Sequence, residues 1–440
     1  MAVTERLTLV LRYADVGVAT YASLRVVGQP ARTVTWVIEE PILLAALAEL
    51  DDALPDPRDA ESRTDAVQRA LTRGAFAAPD TELTVAYILG VSLIAGPAWN
   101  LLLDCVASPR AVLFVTPSTR LARVPWGLLA LPTSGPSAAE LSRAAAEART
   151  TSGTAPARIP WQLADIGIVT EGYRLMELAD VLMGVAPNIA NAPRTPARWT
   201  GPHGDPPLLL LDPRIPGQRP DSALGSVLGR QSQESPLVRH FAAVMREREV
   251  CPRVTSPLEL FRRTDVDGPW LTRQLGLPTG RMLFVGHVTA ADDRHGRADR
   301  AALHLAAEAP VRAADLIAAG VTMPPRVALL ACASGGDYRF DEATGLVAAA
   351  VLGGALVVTA TLWSLVTTAG IRRFGPRADA STDPMADTVI AVDRAHDAED
   401  AGCAVNRWQR AQMRRWRAGA PAASPLYWAA LATFTVDGAR

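Results

Sequence analysis

The sequence predicts an α/β fold, a largely parallel sheet covered by helices, with a small β-rich accessory region at the N-terminus. After about residue 108, short apolar runs of strand length alternate with helical segments, and each run ends in Gly, Pro or a polar residue. Strands that are buried on both faces have this continuous apolar pattern, which is typical of parallel sheets. The 440 residues, 49% apolar and 20% charged, have the composition of a globular protein.

The N-terminal region is predicted to contain three strands followed by helices. Residues 6–39 contain the runs LTLVLRYA, VATYASLRVVG and TVTWVIEE, separated by turns with Gly or Pro. Pro41 then marks the start of a helix, because proline is favoured in the first helical turn. The polar segment 51–63 interrupts the chain before a second expected helix.

The remaining elements follow from the apolar runs and the segments between them. The predicted buried strands are AVLFVTP, PLLLLDP, RMLFVGH, RVALLAC and ALVVTATLW. The segments 132–158 and 190–236, rich in Pro, Gly, Ser and Ala, are predicted to be loops or flexible insertions. The segment 298–320 is predicted to form one helical crossover between the third and fourth of these strands.

Composition excludes several functional classes. The chain has no lysine, so it can have neither a Schiff-base lysine nor a P-loop. Its net charge of −1 does not favour a dedicated nucleic-acid binder. The four cysteines form no CxxC pair, so neither disulfides nor a metal site is expected, and a cytoplasmic location is predicted. Uncharged stretches at 83–103 and 343–371 contain Gly or Pro breaks, which favour buried elements over membrane spans.

Two of the apolar runs end in side chains that can do chemistry. VGH places His287, and LAC places Cys332, just beyond a predicted strand. In an open α/β sheet, functional residues gather at the carboxyl ends of the strands. An imidazole beside a thiol favours the thiolate nucleophile and can protonate a leaving amine. Each residue alone is more often a core cysteine or a loop histidine, but their joint placement favours a Cys-His dyad.

The segments around these residues resemble the CHAT domain, a family of caspase-like cysteine peptidases related to separase and often associated with TPR repeats. FVGHVTA resembles the histidine motif of that family. LLACASGGDYRFDEATGLVAAAVLGGALVVTATLWSL resembles its cysteine block. Weaker matches extend the resemblance over residues 95–437, with a non-catalytic half at 95–250 and a half carrying the dyad at 251–437. Residues 1–94 then form the accessory region.

The resemblance implies a caspase-like fold and a cysteine endopeptidase without a cofactor, in which Cys332 is the nucleophile and His287 the general base or acid. The backbone N–H groups of Gly286, Val288 and Cys332 are the candidate oxyanion hole. Four side chains are candidates for the substrate pocket: Asp337, Asp341, Glu342 and Trp363. The implied partners are a protein substrate and a regulatory sensor or TPR-type protein, in a bacterial defence or signalling system, with no nucleic acid and no membrane.

Two alternatives remain open. The chain departs from the family at Val288, where the family usually has Gly, and near Thr367, where it has Asp. These departures motivate a catalytically degenerate scaffold or binding module. A different hydrolase or transferase that uses the same cysteine is the other alternative.

Overall fold

The structure, a computed structural model, describes most of the chain. The described residues are 6–58, 60–106, 110–131, 174–202, 204–218, 225–290, 298–339, 345–375 and 383–440. They fall into two compact units. Unit 1 comprises Met1–Leu182 and Arg410–Ala429, and unit 2 comprises Met183–Gln409 and Ala430–Arg440. The predicted boundary at residue 94 lies within unit 1, and the predicted insertion at 132–158 lies outside the described residues.

Unit 1 contains the predicted β-rich N-terminal region. Its strands are β1 (Thr8–Val16), β2 (Ala19–Val26), β3 (Gln29–Glu39) and β4 (Ala111–Thr116). β2 pairs antiparallel with both β1 and β3, whereas β4 pairs parallel with β1. Alternate residues of β1, such as Leu9 and Leu11, are buried, as expected for a strand with one face on a core. All three predicted N-terminal strands are confirmed.

Unit 1 also contains helices, most of which lie between β3 and β4 in the sequence. They are α1 (Glu40–Ala53), α2 (Arg63–Thr72), α3 (Pro79–Leu93), α4 (Gly96–Asp104) and α5 (Leu175–Leu178). Pro41 lies in the first turn of α1, as predicted. Among the described residues, no single helix is long and apolar enough to cross a membrane, although α3 and α4, bent by 101°, pass that test as a pair.

Unit 2 contains a large, mostly parallel sheet flanked by helices, which confirms the predicted fold class. Four parallel strands lie side by side: β6 (Pro207–Leu211), β7 (Arg281–Val285), β11 (Arg326–Leu330) and β12 (Val357–Thr361). Every residue in these four strands is buried, as their continuous apolar sequences predict. β13 (Leu431–Thr435) pairs antiparallel with β12, and the end of β5 (Ala179–Gly184) pairs parallel with β13.

The helices of unit 2 alternate with these strands along the chain. They are α6 (Pro187–Ala190), α7 (Pro236–Glu247), α8 (Gly268–Leu275), α9 (Ala313–Ala318), α10 (Leu346–Leu352), α11 (Thr368–Phe374) and α12 (Pro384–Ala395). Two further helices come before β13 in the chain: α13 (Ala401–Arg417), whose residues 401–409 belong to unit 2, and α14 (Pro425–Trp428), which belongs to unit 1. The uncharged stretch that ends at residue 371 contains the buried helix α10 and the buried strand β12, as predicted.

The predicted helical crossover between β7 and β11 is wrong. The segment instead contains the short strands β9 (Ala302–Leu303) and β10 (Val311–Arg312), which form a separate antiparallel sheet with β8 (Val288–Thr289). Its helical residues are the six of α9 and a short 3₁₀ turn, Ala298–Arg300. Pro310, directly before β10, cannot donate a hydrogen bond inside a helix. Pairing of β9 with β8 overrides the helical propensity of the alanines around it.

Candidate active site

The two candidate catalytic residues follow neighbouring strands. β7 and β11 pair in parallel, with Val285 opposite Leu330. His287 and Cys332 each lie two residues beyond these paired positions. Because parallel strands end at the same edge of a sheet, the backbone brings both residues to one edge. The prediction that their strands are neighbours is confirmed.

The imidazole of His287 is oriented by a backbone carbonyl. Its side chain is buried, and Nε2 lies 2.6 Å from the carbonyl oxygen of Gly225. A carbonyl oxygen can only accept, so Nε2 carries the proton and donates it. In the neutral ring, Nδ1 is then the nitrogen with the basic lone pair. Gly225 lies 62 residues earlier, in the Gly- and Pro-rich segment, and no sequence signal identifies it.

A second histidine lies beside the first. The N–H of His304 donates to the carbonyl oxygen of His287 at 3.0 Å, and its Nε2 lies 2.6 Å from Thr289 Oγ1. Burial, and then the nearby charge of His287, lowers the pKa of His304, which favours its neutral form. The sequence pattern predicts a crossover helix around His304, so it gives no signal for this residue. His295, in the charged sequence before it, lies outside the described residues.

Cys332 is partly exposed at the start of a tight turn. The next residue, Ala333, has φ of 46°, a left-handed conformation that costs a non-glycine residue about 1–2 kcal/mol. Hydrogen bonds from Ser334 hold this turn. Its hydroxyl donates to the Leu329 carbonyl at 2.5 Å and accepts from the N–H of Thr361 at 3.1 Å. The turn after the thiol is therefore fixed to the ends of both β11 and β12.

The candidate oxyanion donors have different environments. The N–H of Gly286 donates to the Leu330 carbonyl at 3.4 Å and so continues the sheet. Val288 is the first residue of β8, paired with Leu303. Among the described residues, Val288 is not one of the non-glycine residues with positive φ, so valine causes no left-handed strain there. The oxyanion role of these N–H groups and that of Cys332 stays a prediction.

The other departure from the family pattern has a local explanation. The side chain of Thr367 accepts a hydrogen bond from the N–H of Gly370 at 3.2 Å, which caps the N-terminus of α11. Threonine is a favoured N-cap residue, so Thr367 has a local structural role at this helix end.

The other three cysteines are less suited to nucleophilic chemistry. Cys105 and Cys403 are buried, and burial raises the pKa of Cys105. Cys251 donates to Gln274 Oε1 at 3.0 Å, and burial raises its pKa to about 11. A raised pKa disfavours the thiolate, so neither Cys105 nor Cys251 is an activated nucleophile.

Asp337, a candidate pocket residue, is 5% exposed and caps a helix. Its carboxylate accepts from the N–H groups of Val347 and Ala348, at 3.2 and 2.8 Å, in the first turn of α10. At Gly345 a Cβ atom would lie 2.5 Å from Asp337 Oδ1, so glycine leaves the space that this carboxylate fills. Within the described part of the chain, Asp337 therefore secures the segment after Cys332 to α10.

The space beside this segment is small. Ser334, Gly336 and Asp337 line a recess of about 10 Å³, which is the size of one water site. Trp363 is fully buried, while Asp341 and Glu342 lie outside the described residues. The substrate-pocket role of these four candidates stays a prediction. The described residues contain no cluster of His, Cys, Asp and Glu that could hold a metal ion.

Asp337 is expected to make stability depend on pH. Burial raises its pKa to about 7, against a partial opposite effect of the backbone N–H groups. The folded state therefore binds this proton more tightly than the unfolded state, and stability falls as the pH rises from about 4 to about 7. Asp337→Asn should remove this slope, measured as urea unfolding free energies from pH 4 to pH 8. An unchanged slope would contradict the assignment.

Comparison with known proteins gives only distant likenesses. No family model matches the sequence, and neither does any curated protein. Two crystal structures of the Saccharomyces cerevisiae separase–securin complex, at 2.6 and 3.0 Å resolution, resemble it with a TM-score of 0.43 and identities of 11% and 9%. Each likeness covers 98% of this chain, which spans 30% of the matched chain. At that TM-score the likeness carries no argument about chemistry.

Proposed function

We propose that this protein is a cysteine endopeptidase in which Cys332 is the nucleophile and His287 the general base and acid. The observation that carries the proposal is the parallel pairing of β7 with β11, with Val285 opposite Leu330. This register brings a partly exposed thiol and a carbonyl-oriented imidazole to the same sheet edge. The fixed turn after Cys332 further supports a nucleophile at this position.

The reaction follows from the hydrogen bonding of His287. Nε2 donates to the Gly225 carbonyl, so Nδ1 accepts the proton of the Cys332 thiol. The thiolate attacks the carbonyl carbon of a peptide bond and forms a C–S bond. The imidazolium then protonates the leaving amine as the C–N bond breaks. Water, deprotonated by Nδ1, hydrolyses the thioester and restores the thiol.

The resemblance to the CHAT domain extends this proposal to the substrate and the biological context. The substrate class is a partner protein, and a regulatory sensor or TPR-type protein controls the enzyme in a bacterial defence or signalling system. Asp337 follows Cys332 and caps α10. Asp341 and Glu342 are acidic residues further along the sequence, and acidic residues in a substrate pocket would favour a basic side chain at the cleavage site.

Selective alkylation tests the dyad. Iodoacetamide reacts with thiolates, so Cys332 should be alkylated much faster at pH 7 than Cys105, Cys251 and Cys403, as followed by mass spectrometry. His287→Gln removes the base and should slow alkylation of Cys332. The half-buried thiol of Cys251 is the internal control, and its rate should not change. Equal rates at Cys332 in the wild-type protein and in His287→Gln would refute the dyad.

A second candidate is a catalytically degenerate scaffold, which the differences from the CHAT pattern at Val288 and Thr367 motivate. The two functions differ in one measurement. Incubation of the protein with a peptide library, with and without the proteins encoded beside it, should give Cys332-dependent cleavage only for the peptidase.

A further inference from the structure

The loop that presents the Gly225 carbonyl is attached to the residue that follows β6. Asp212 comes directly after Leu211, the last residue of that strand. Its N–H donates to the carbonyl oxygen of Val285 at 2.6 Å, so its backbone extends the pairing between β6 and β7. Asp212 therefore lies at the edge of the sheet where β7 leads into His287.

The carboxylate of Asp212 is enclosed by donors from the residues immediately after Gly225. It is 1% exposed, and Oδ2 accepts from the hydroxyl of Ser226 at 2.5 Å. The N–H of Val227 donates to Oδ1 at 3.3 Å, and the N–H of Leu228 donates to Oδ2 at 3.4 Å. Three consecutive residues are thus fixed to one buried side chain, because a buried carboxylate needs every donor it can obtain.

The carboxylate also has an opposite charge beside it. Nη1 of Arg262 lies 3.3 Å from Asp212 Oδ1. The pair is asymmetric, since the arginine side chain is 30% exposed whereas the aspartate is almost fully buried. Arg262 therefore offsets part of the cost of burying the carboxylate.

We infer that Asp212 is a positioning residue, which holds Gly225 in place through Ser226 and so fixes the tautomer and orientation of His287. The inference rests on the proposed function only for its effect on activity. The effect on the tautomer of His287 is independent of that activity. A carbonyl that moves away from Nε2 no longer favours the proton on that nitrogen, and the neutral ring then populates both tautomers. Nδ1 loses its basic lone pair in the second tautomer.

The backbone conformation of Asp212 permits a variant that changes only the carboxylate. Asp212 has φ of 53°, in the left-handed region that Asn and Gly also adopt readily. Asp212→Asn therefore leaves the backbone preference unchanged. The amide nitrogen of asparagine, however, cannot accept a hydrogen bond, so the donors at one of the two oxygens of Asp212 lose their acceptor. Ser226→Ala is a milder second variant, which removes only the hydroxyl.

The test reports on the ring by NMR. The full chain contains six histidines, which are labelled with ¹⁵N, and His287→Gln identifies the signals of His287. At a pH high enough for the ring to be neutral, the wild-type protein should carry the His287 proton on Nε2. Asp212→Asn and Ser226→Ala should shift the ring toward a mixture of tautomers. Asp265→Asn is the matched control, since this exposed carboxylate pairs with Arg263 and should leave the signals unchanged.

Activity provides the second measurement. With a cleavable peptide, Asp212→Asn should lower kcat by about tenfold or more with little change in KM, because general acid–base transfer contributes about 10²–10⁴ in rate. A tautomer shift in a protein that cleaves nothing supports the positioning role and refutes the proposed function. An unshifted tautomer in both folded variants overturns the inference, whatever the activity. If Asp212→Asn does not fold, the tautomer of His287 in Ser226→Ala tests the inference alone.

Discussion

Cys332→Ala should abolish peptide cleavage, with a loss of about 10³-fold or more in kcat. Among the described residues, Cys332 is the cysteine that follows β11, which pairs with β7, the strand before His287. The fold should survive. The thiol is partly exposed, and alanine is compatible with the end of a strand, so the free energy of unfolding should change by less than about 1 kcal/mol. Hydrolysis of the best substrate from a peptide library measures the rate, and urea unfolding measures the stability.

Cys251→Ala is the matched control for this experiment. Both thiols are half-buried, but burial raises the pKa of Cys251 to about 11. The variant should retain the wild-type rate. If Cys332→Ala cleaves as fast as the wild type, the nucleophile lies elsewhere and the dyad is wrong. If Cys251→Ala alone loses activity while Cys332→Ala retains it, the nucleophile is Cys251.

Arg281→Met should be the most destabilising change among the ion pairs of unit 2. Arg281 is the first residue of β7 and is 2% exposed. Its guanidinium bonds to Asp393, which is also buried, and to Asp397 at 3.0 Å. Removal of the arginine leaves a buried carboxylate with only His240 beside it, at 2.8 Å. Loss of one partner of a buried pair costs about 3–5 kcal/mol.

The pH dependence of this loss has a defined sign. Burial by itself would raise the pKa of Asp393, but Arg281 and His240 outweigh it and lower the pKa to about 2. In Arg281→Met the first of these charges is gone and the pKa of Asp393 rises. The variant then takes up a proton on folding, so its penalty should be smaller at pH 4 than at pH 7.

The control is an exposed ion pair of the same type. Arg253 pairs with Glu249 at 3.0 Å, with both side chains largely exposed. Arg253→Met should change the free energy of unfolding by less than about 1 kcal/mol, since exposed pairs contribute little. Urea unfolding of both variants at the two pH values makes the comparison. Equal effects of the two substitutions would contradict a structural role for the Arg281 pair.

Much of the fold was predictable because burial leaves a direct trace in the sequence. Strands such as Arg326–Leu330 are buried on both faces and must be apolar at nearly every position. The alternating burial of β1 is equally local, as is Pro41 in the first turn of α1. The placement of His287 and Cys332 after two such strands required nothing beyond these patterns.

Pairing between distant segments was not predictable in the same way. Ala302–Leu303 has the composition of a helix, yet it forms β9 because β8 offers a strand partner directly after His287. Propensity is worth a few tenths of a kcal/mol per residue, and a tertiary pairing readily outweighs it. The sequence did not reveal that His304 lies beside His287 for the same reason.

The sequence by itself determined the fold class, the buried strands and the two residues at their ends, because apolar periodicity and residue type are local properties. Only the tertiary structure decided what surrounds the imidazole. Gly225 acts through its backbone carbonyl, which every residue possesses, so its identity carries no signal. Asp212 is one acidic residue among many until folding brings Ser226 within 2.5 Å. A hydrogen bond depends on distance and direction in space, and those are fixed only when the whole sheet has formed.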